Sequence, residues 1–140
     1  MALKNRQSSV VSHQSSVKNG QKTEDRRLKT SIDVVANAYP DREYTVNIEF
    51  PEFTCVCPKT GLPDFATILI DYVPGKKLVE LKSLKLYFVS YRNVGAFHEH
   101  VINKILDDFV AACHPRSAQI VGEFSVRGGI MTTVTASFPA

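Results

Sequence analysis

The chain has 140 residues, 44% hydrophobic and 22% charged, with three cysteines and a formal net charge of +3. That length carries one domain with a core of its own and excludes two. No apolar run approaches the roughly eighteen residues of a membrane-spanning helix. An odd cysteine count with no apolar leader at the N-terminus points to a reducing, cytoplasmic setting and to free thiols.

The basic excess is unevenly placed. Residues 1–30 hold Lys4, Arg6, Lys18, Lys22, Arg26, Arg27 and Lys29 against Glu24 and Asp25, a net of +5, which leaves −2 for residues 31–140. The first segment is rich in Ser, Gln and Asn and has no aromatic residue. With so little to bury it is expected to be a disordered, solvated tail. Residues 31–140 are expected to form a single folded domain, and by charge that domain is not a nucleic-acid binder.

In chain order, EYTVNIEF (43–50) alternates with Tyr44, Val46, Ile48 and Phe50 on one face, which predicts a half-buried strand ended by Pro51. The stretch EFTCVCPKTGLPDFA (52–66), broken by Pro58, Gly61 and Pro63, predicts a loop. ATILIDYVP (66–74) predicts a second strand on Ile68, Ile70 and Tyr72, turned by PGKK (74–77). Leu84, Tyr87, Phe88 and Tyr91 recur at helical spacing. From about residue 97 a longer helix carries Val101, Ile102, Ile105, Leu106, Phe109 and Val110 on one stripe, with charged residues opposite. AQIVGEFSV and IMTTVTASF then flank Arg127-Gly128-Gly129 as a hairpin. The order strand, strand, helix, helix, strand, strand predicts an α+β domain, an antiparallel sheet backed by two helices. Its open sheet edges make self-assembly a reasonable expectation.

The chemistry centres on Cys55 and Cys57. A zinc site would join them to His98 and His100. Residues two apart on a strand share a face, but on a helix they lie about 200° apart, so both histidines reach one metal only if His98 precedes the helix. A Cys55–Cys57 disulfide would close a very tight ring in a reducing setting. The third reading is one reactive thiol in a loop, with Asp64 beyond it and Lys59 or His98 to favour the thiolate. Cys113, ending an apolar helix stripe, reads as a small buried hydrophobe. No GxGxxG fingerprint of a Rossmann cofactor site is present.

ELKSLKLY (80–87) resembles the signature of the NADPH-dependent 7-cyano-7-deazaguanine reductases, the QueF family. Its pattern is Glu, Ser or Leu, Lys, Ser or Ala, an apolar residue, Lys, Leu or Tyr, and an aromatic. CPKTGLPDFA resembles the family's nucleophile loop, FHEH its substrate-binding helix start and FSVRGGI its final hairpin. The likeness spans about residues 40 to 135 and is to the short, single-module branch. It implies the tunnelling fold, β-β-α-α-β-β, in a ring-like homo-oligomer with sites at subunit interfaces.

The activity implied is reduction of the nitrile of 7-cyano-7-deazaguanine to a primary amine, with two NADPH, on the route to queuosine in transfer RNA. By resemblance Cys57 is the nucleophile that forms a covalent thioimide, and Asp64 is the proton donor. Val79, Glu80, Leu81, His98 and Glu99 match substrate-binding positions; carboxylates suit the N–H donors of a deazaguanine. Leu81, Lys82, Arg127 and Gly128 match NADPH positions. Free N–H groups at the start of the Lys82 helix are expected to suit phosphate, and Arg127 to fork onto it. No metal is implied, nor direct contact with nucleic acid or membrane. Cys55 stands where many relatives have a small residue without a thiol, and Val101 where some have a cysteine. The rival readings are a zinc-dependent tunnelling-fold enzyme of the GTP cyclohydrolase kind and a non-catalytic purine- or pterin-binding module.

Overall fold

Residues 31–140 are described by a computed structural model; the tail expected over 1–30 lies outside the described residues. Strands β2 (Val46–Val56), β3 (Pro63–Val73), β5 (Ser117–Arg127) and β6 (Ile130–Phe138) form one antiparallel sheet in the order β2-β3-β5-β6. β1 (Val34–Ala36) and β4 (Lys77–Val79) form a separate antiparallel pair. Helix α1 (Leu81–Val89) continues into a 3-10 turn (Ser90–Asn93), and α2 spans His98–Cys113. The α+β architecture with two helices and an antiparallel sheet is thus as expected.

The alternation of β3 does what period two requires. Asp64, Ala66, Ile68, Ile70 and Tyr72 are buried, and the residues between them are more exposed. They meet Val101, Ile102, Ile105 and Phe109 of α2 in the core. At Gly122 on β5 a Cβ would stand 2.4 Å from Ile102 Cδ1 and 2.9 Å from Phe124 Cε2, so a larger residue there would have to displace both side chains. Phe50, Phe53 and Phe88 pack ring against ring and fix α1 to β2. The Tyr87 hydroxyl hydrogen-bonds Asp108 Oδ2 at 2.6 Å, tying α1 to α2.

Three expectations need correction. β2 does not stop at Pro51: its register slips between Phe50 and Phe53 and the strand runs on to Val56. A proline is tolerated because β2 is an edge strand and the bulge absorbs the missing donor. Cys55 and Asp64 are therefore strand residues, directly paired across the ladder, and the loop shrinks to residues 57–62. The PGKK turn is present as expected, and the strands it adjoins, β4 and its partner β1, were not foreseen, since three-residue strands carry too little pattern to announce themselves. The helix through Tyr91 is α1 plus the 3-10 turn, not one element.

The β5–β6 hairpin turns on Gly128 and Gly129, at φ 61° and 83°, with Arg127 paired to Ile130. Two consecutive residues at positive φ make the turn that matches strand twist, and two glycines supply it without strain.

Candidate functional site

The β2–β3 loop is built around Cys57. Its N–H donates to Leu62 O at 2.8 Å and its carbonyl accepts from Gly61 N at 2.9 Å. Gly61 takes the positive φ (71°) that this closure demands. The chain folds back over the sulfur, so that the Thr60 hydroxyl and the N–H groups of Thr60 and Lys59 stabilise the thiolate, and Cys57 falls to about 6. Successive N–H groups turned inward make an anion nest. Arg127 adds to this, donating from Nη2 to Cys57 Sγ at 3.2 Å.

Asp64 is buried on the inward face of β3, with both oxygens engaged. Oδ1 accepts from Arg127 Nη1 at 2.7 Å, and Oδ2 lies 3.1 Å from His98 Nε2. His98 opens α2, and its place is set by the backbone before it. Val56 N–H donates to Val94 O, and Ala96 N–H donates to Val56 O, so the approach to α2 is bonded alongside the end of β2. The imidazole lies flat on Phe124 of β5, centroids 3.7 Å apart and planes 6° apart. Stacking and the Asp64 contact together fix the ring.

Cys57, Asp64, His98 and Arg127 thus converge from the loop, β3, α2 and β5. Cys55 lies behind them in the core, where burial and then the Asp64 charge push its thiol up to about 11. Cys113 is also buried, as expected, and burial pushes it to about 11. All three cysteines are free. His98 is given to Asp64, while His100 meets the Phe97 ring edge-on. Among the described residues no three His, Cys, Asp or Glu side chains stand together as a metal site.

A second group sits elsewhere. Glu80 caps α1, its Oε1 accepting from Lys82 N at 2.9 Å and its Oε2 from Ser83 N at 2.6 Å. These bonds hold its carboxyl below the usual range. The N–H groups expected to be free for phosphate at Lys82 and Ser83 are therefore occupied; the acid one residue before the helix takes them. Val79 is buried, with its N–H donating to the Tyr72 hydroxyl. Leu81 and Lys82 are exposed. Glu99, in the first turn of α2, is exposed, and Gly128 has open space where a Cβ would sit.

Tyr72, which anchors Val79, and Asp64 sit eight residues apart on β3, about 26 Å at the strand rise. The Val79–Lys82 group and the Cys57 group therefore lie toward opposite ends of one chain's sheet. Sequence reasoning missed Thr60 and Phe124. Thr60 was in view, within the quoted loop; Phe124 lay in the quoted strand AQIVGEFSV with no role assigned.

Comparison with known proteins completes the description. A family model described as "QueF-like protein" matches residues 63–139. The chain is 59% identical over 107 residues to the NADPH-dependent 7-cyano-7-deazaguanine reductase of Nitrosococcus oceani, covering 76% of this chain and 83% of that protein. It is 57% identical over 110 residues to the protein of that name from Chlorobaculum tepidum, covering 79% and 94%. The apo crystal structure of the archaeosine synthase QueF-Like matches with a TM-score of 0.63 at 22% identity, over 66% of this chain and 91% of that one, a likeness of fold.

Proposed function

The chain belongs to the QueF family, and from that premise we infer that Cys57 is the nucleophile through which it reduces a nitrile. The protein is an NADPH-dependent 7-cyano-7-deazaguanine reductase of queuosine biosynthesis. The observation that carries the role of Cys57 is its setting: a thiol brought to about 6, beside a guanidinium, with a carboxylate–imidazole pair at hand.

The chemistry follows from that setting. A nitrile carbon is a poor hydride acceptor as it stands. Attack by the Cys57 thiolate forms a sulfur–carbon bond and moves a C–N π pair to nitrogen. Nitrogen takes a proton held between Asp64 and His98, leaving a thioimide on Cys57. NADPH, when bound, supplies hydride, two equivalents per nitrile. After the first reduction the Cys57 sulfur leaves as thiolate, and Asp64, reprotonated from solvent, delivers the second proton that the increasingly basic nitrogen needs.

The residues present suit a phosphate-bearing cofactor. Lys82 is exposed, Gly128 and Gly129 leave open space, and the Arg127 side chain is 44% exposed. Leu81 offers apolar contact beside them in this reading. Glu80, Glu99 and His98 serve the deazaguanine, and Val79, whose side chain is buried, serves it through its main chain.

The separation along β3 means that one chain does not bring these groups together. A second copy completes the site, in a tunnelling-fold ring. Two features support this. β2 and β6 are the open edges of the sheet. Exposed Leu62, Phe65, Phe97, Val126, Ile130 and Met131 crowd the Cys57 end, more apolar surface than a lone chain has reason to show.

The test of the nucleophile is intact mass after incubation with 7-cyano-7-deazaguanine in the absence of NADPH. A covalent adduct is expected in the wild type and in Cys55→Ala, and none in Cys57→Ala. An adduct that survives loss of Cys57 and disappears with Cys55 overturns the assignment.

A further inference from the structure

The Arg127 guanidinium has five N–H donors, and in this structure one on each terminal nitrogen goes to its own chain: Nη1 to Asp64 Oδ1 at 2.7 Å and Nη2 to Cys57 Sγ at 3.2 Å. A phosphate is held best by the same fork, two parallel N–H donors at once. Here the two terminal nitrogens are divided between two protein partners, and the guanidinium is held facing inward. Arg127 also stands beside Gly128 and Gly129 at the hairpin tip, where nothing lies within 4 Å of either Cβ position. The residue has room to turn from the nucleophile toward an outer anion.

We propose that Arg127 is a positioning residue that clamps Cys57 and Asp64 in the resting enzyme, and that its Cys57 arm is freed toward the cofactor when Cys57 bonds to substrate. The inference rests on the reading of Cys57 as nucleophile and of Arg127 as a cofactor contact. The charges around Cys57 account for the release. Arg127 of β5 bonds both Cys57 and Asp64 of β3, Lys59 gives Cys57 its main-chain N–H, His98 of α2 reaches Asp64, and Cys55 of β2 lies behind. When the sulfur–carbon bond forms, the negative charge leaves sulfur and, as the proton of the Asp64–His98 pair ends on nitrogen, passes to that pair, so Arg127 keeps its Asp64 anchor and loses the one on sulfur. A thioether-like sulfur is a weak acceptor, so Arg127 loses one of its two anchors at the moment the carbon becomes ready for hydride. Substrate capture thereby improves the hold on NADPH, and the resting enzyme discourages it.

The enzyme itself supplies the test. NADPH binding is titrated by fluorescence or calorimetry, with no substrate present, on wild type, Cys57→Ala, Cys57→Ser, Arg127→Ala and the double variant Cys57→Ala/Arg127→Ala. Loss of the sulfur anchor is expected to tighten NADPH binding about fivefold or more, the scale of one charge-assisted hydrogen bond at a half-exposed site. Cys57→Ser, which also removes the anionic sulfur, follows in the same direction. In the Arg127→Ala background the Cys57 change is expected to do nothing. Unchanged or weaker binding in Cys57→Ala, or a gain that persists without Arg127, overturns the clamp. The adduct experiment on the same wild-type preparation keeps the two readings apart. An adduct on Cys57 with no coupling refutes the clamp alone, whereas no adduct on Cys57 refutes the nucleophile.

Discussion

Cys55 and Cys57 are two residues apart, and their thiols are driven in opposite directions. Burial raises Cys55 to about 11, and the Thr60 hydroxyl with the loop N–H groups lowers Cys57 to about 6. Iodoacetamide at pH 7 should therefore modify one thiol per chain quickly, and peptide mapping should find it at Cys57. The rate should climb through pH 6 and level off above it. Cys55 and Cys113, whose thiols burial pushes up to about 11, should react only in denaturant. Fast labelling at Cys55 would contradict the environment described for the pair.

The same depression of Cys57 makes stability depend on pH. The unfolded thiol titrates near 9 and the folded one near 6. Between those values the unfolded chain binds more protons, so the contribution of Cys57 to stability rises with pH through this window. It is fully present above 9 and lost as pH falls through 6. The stability gap between wild type and Cys57→Ser, measured by urea denaturation, should widen from pH 6 to pH 9. A gap that stays flat over that range means the loop does not favour the thiolate.

Asp64→Asn keeps the size and one acceptor of the side chain but removes its charge and its part in proton transfer. Substrate should still bind, while steady-state reduction should fall by about 10²- to 10⁴-fold, the usual weight of a positioned acid–base group. Unchanged NADPH consumption would take Asp64 out of the mechanism.

If two copies complete one site, two inactive variants should rescue each other. Cys57→Ala and Glu80→Gln damage groups at opposite ends of a chain's sheet. Co-expressed with different tags and purified as mixed assemblies, they should recover measurable activity, since some interfaces pair an intact Cys57 with an intact Glu80. Mixed assemblies as inactive as their parents would place the whole site within one chain.

Legibility from sequence followed the range of the signal. β3 and α2 were readable because burial on one face imposes a period, and a period can be counted in a short window. β2 past Pro51 was not, since whether a proline ends a strand depends on whether a neighbour needs its N–H, and that is set by sheet order. The Glu80 cap lay in plain sight as an acid before a helix, yet its competition with phosphate for the same N–H groups emerges only once the bonds are drawn. Resemblance named Cys57, Asp64, His98 and Arg127 individually. That Arg127 touches the first two across 70 and 63 residues follows from the registers of β3 and β5, which no local pattern encodes. Cys55 was the least explicable residue on sequence grounds. Paired opposite Asp64 with its side chain in the core, it is packing material.

The bonds that join Val56 to Val94 and Ala96 turn an ordinary surface connection into a splint. The segment between the 3-10 turn and α2 would elsewhere be a place where a protein tolerates added residues. Here a single inserted residue would shift His98 against Asp64 while leaving every core contact of α2 free to re-form. Variation in length among working relatives should therefore be absent from residues 94–97, and domain fusions or tags grafted there should yield folded but silent protein.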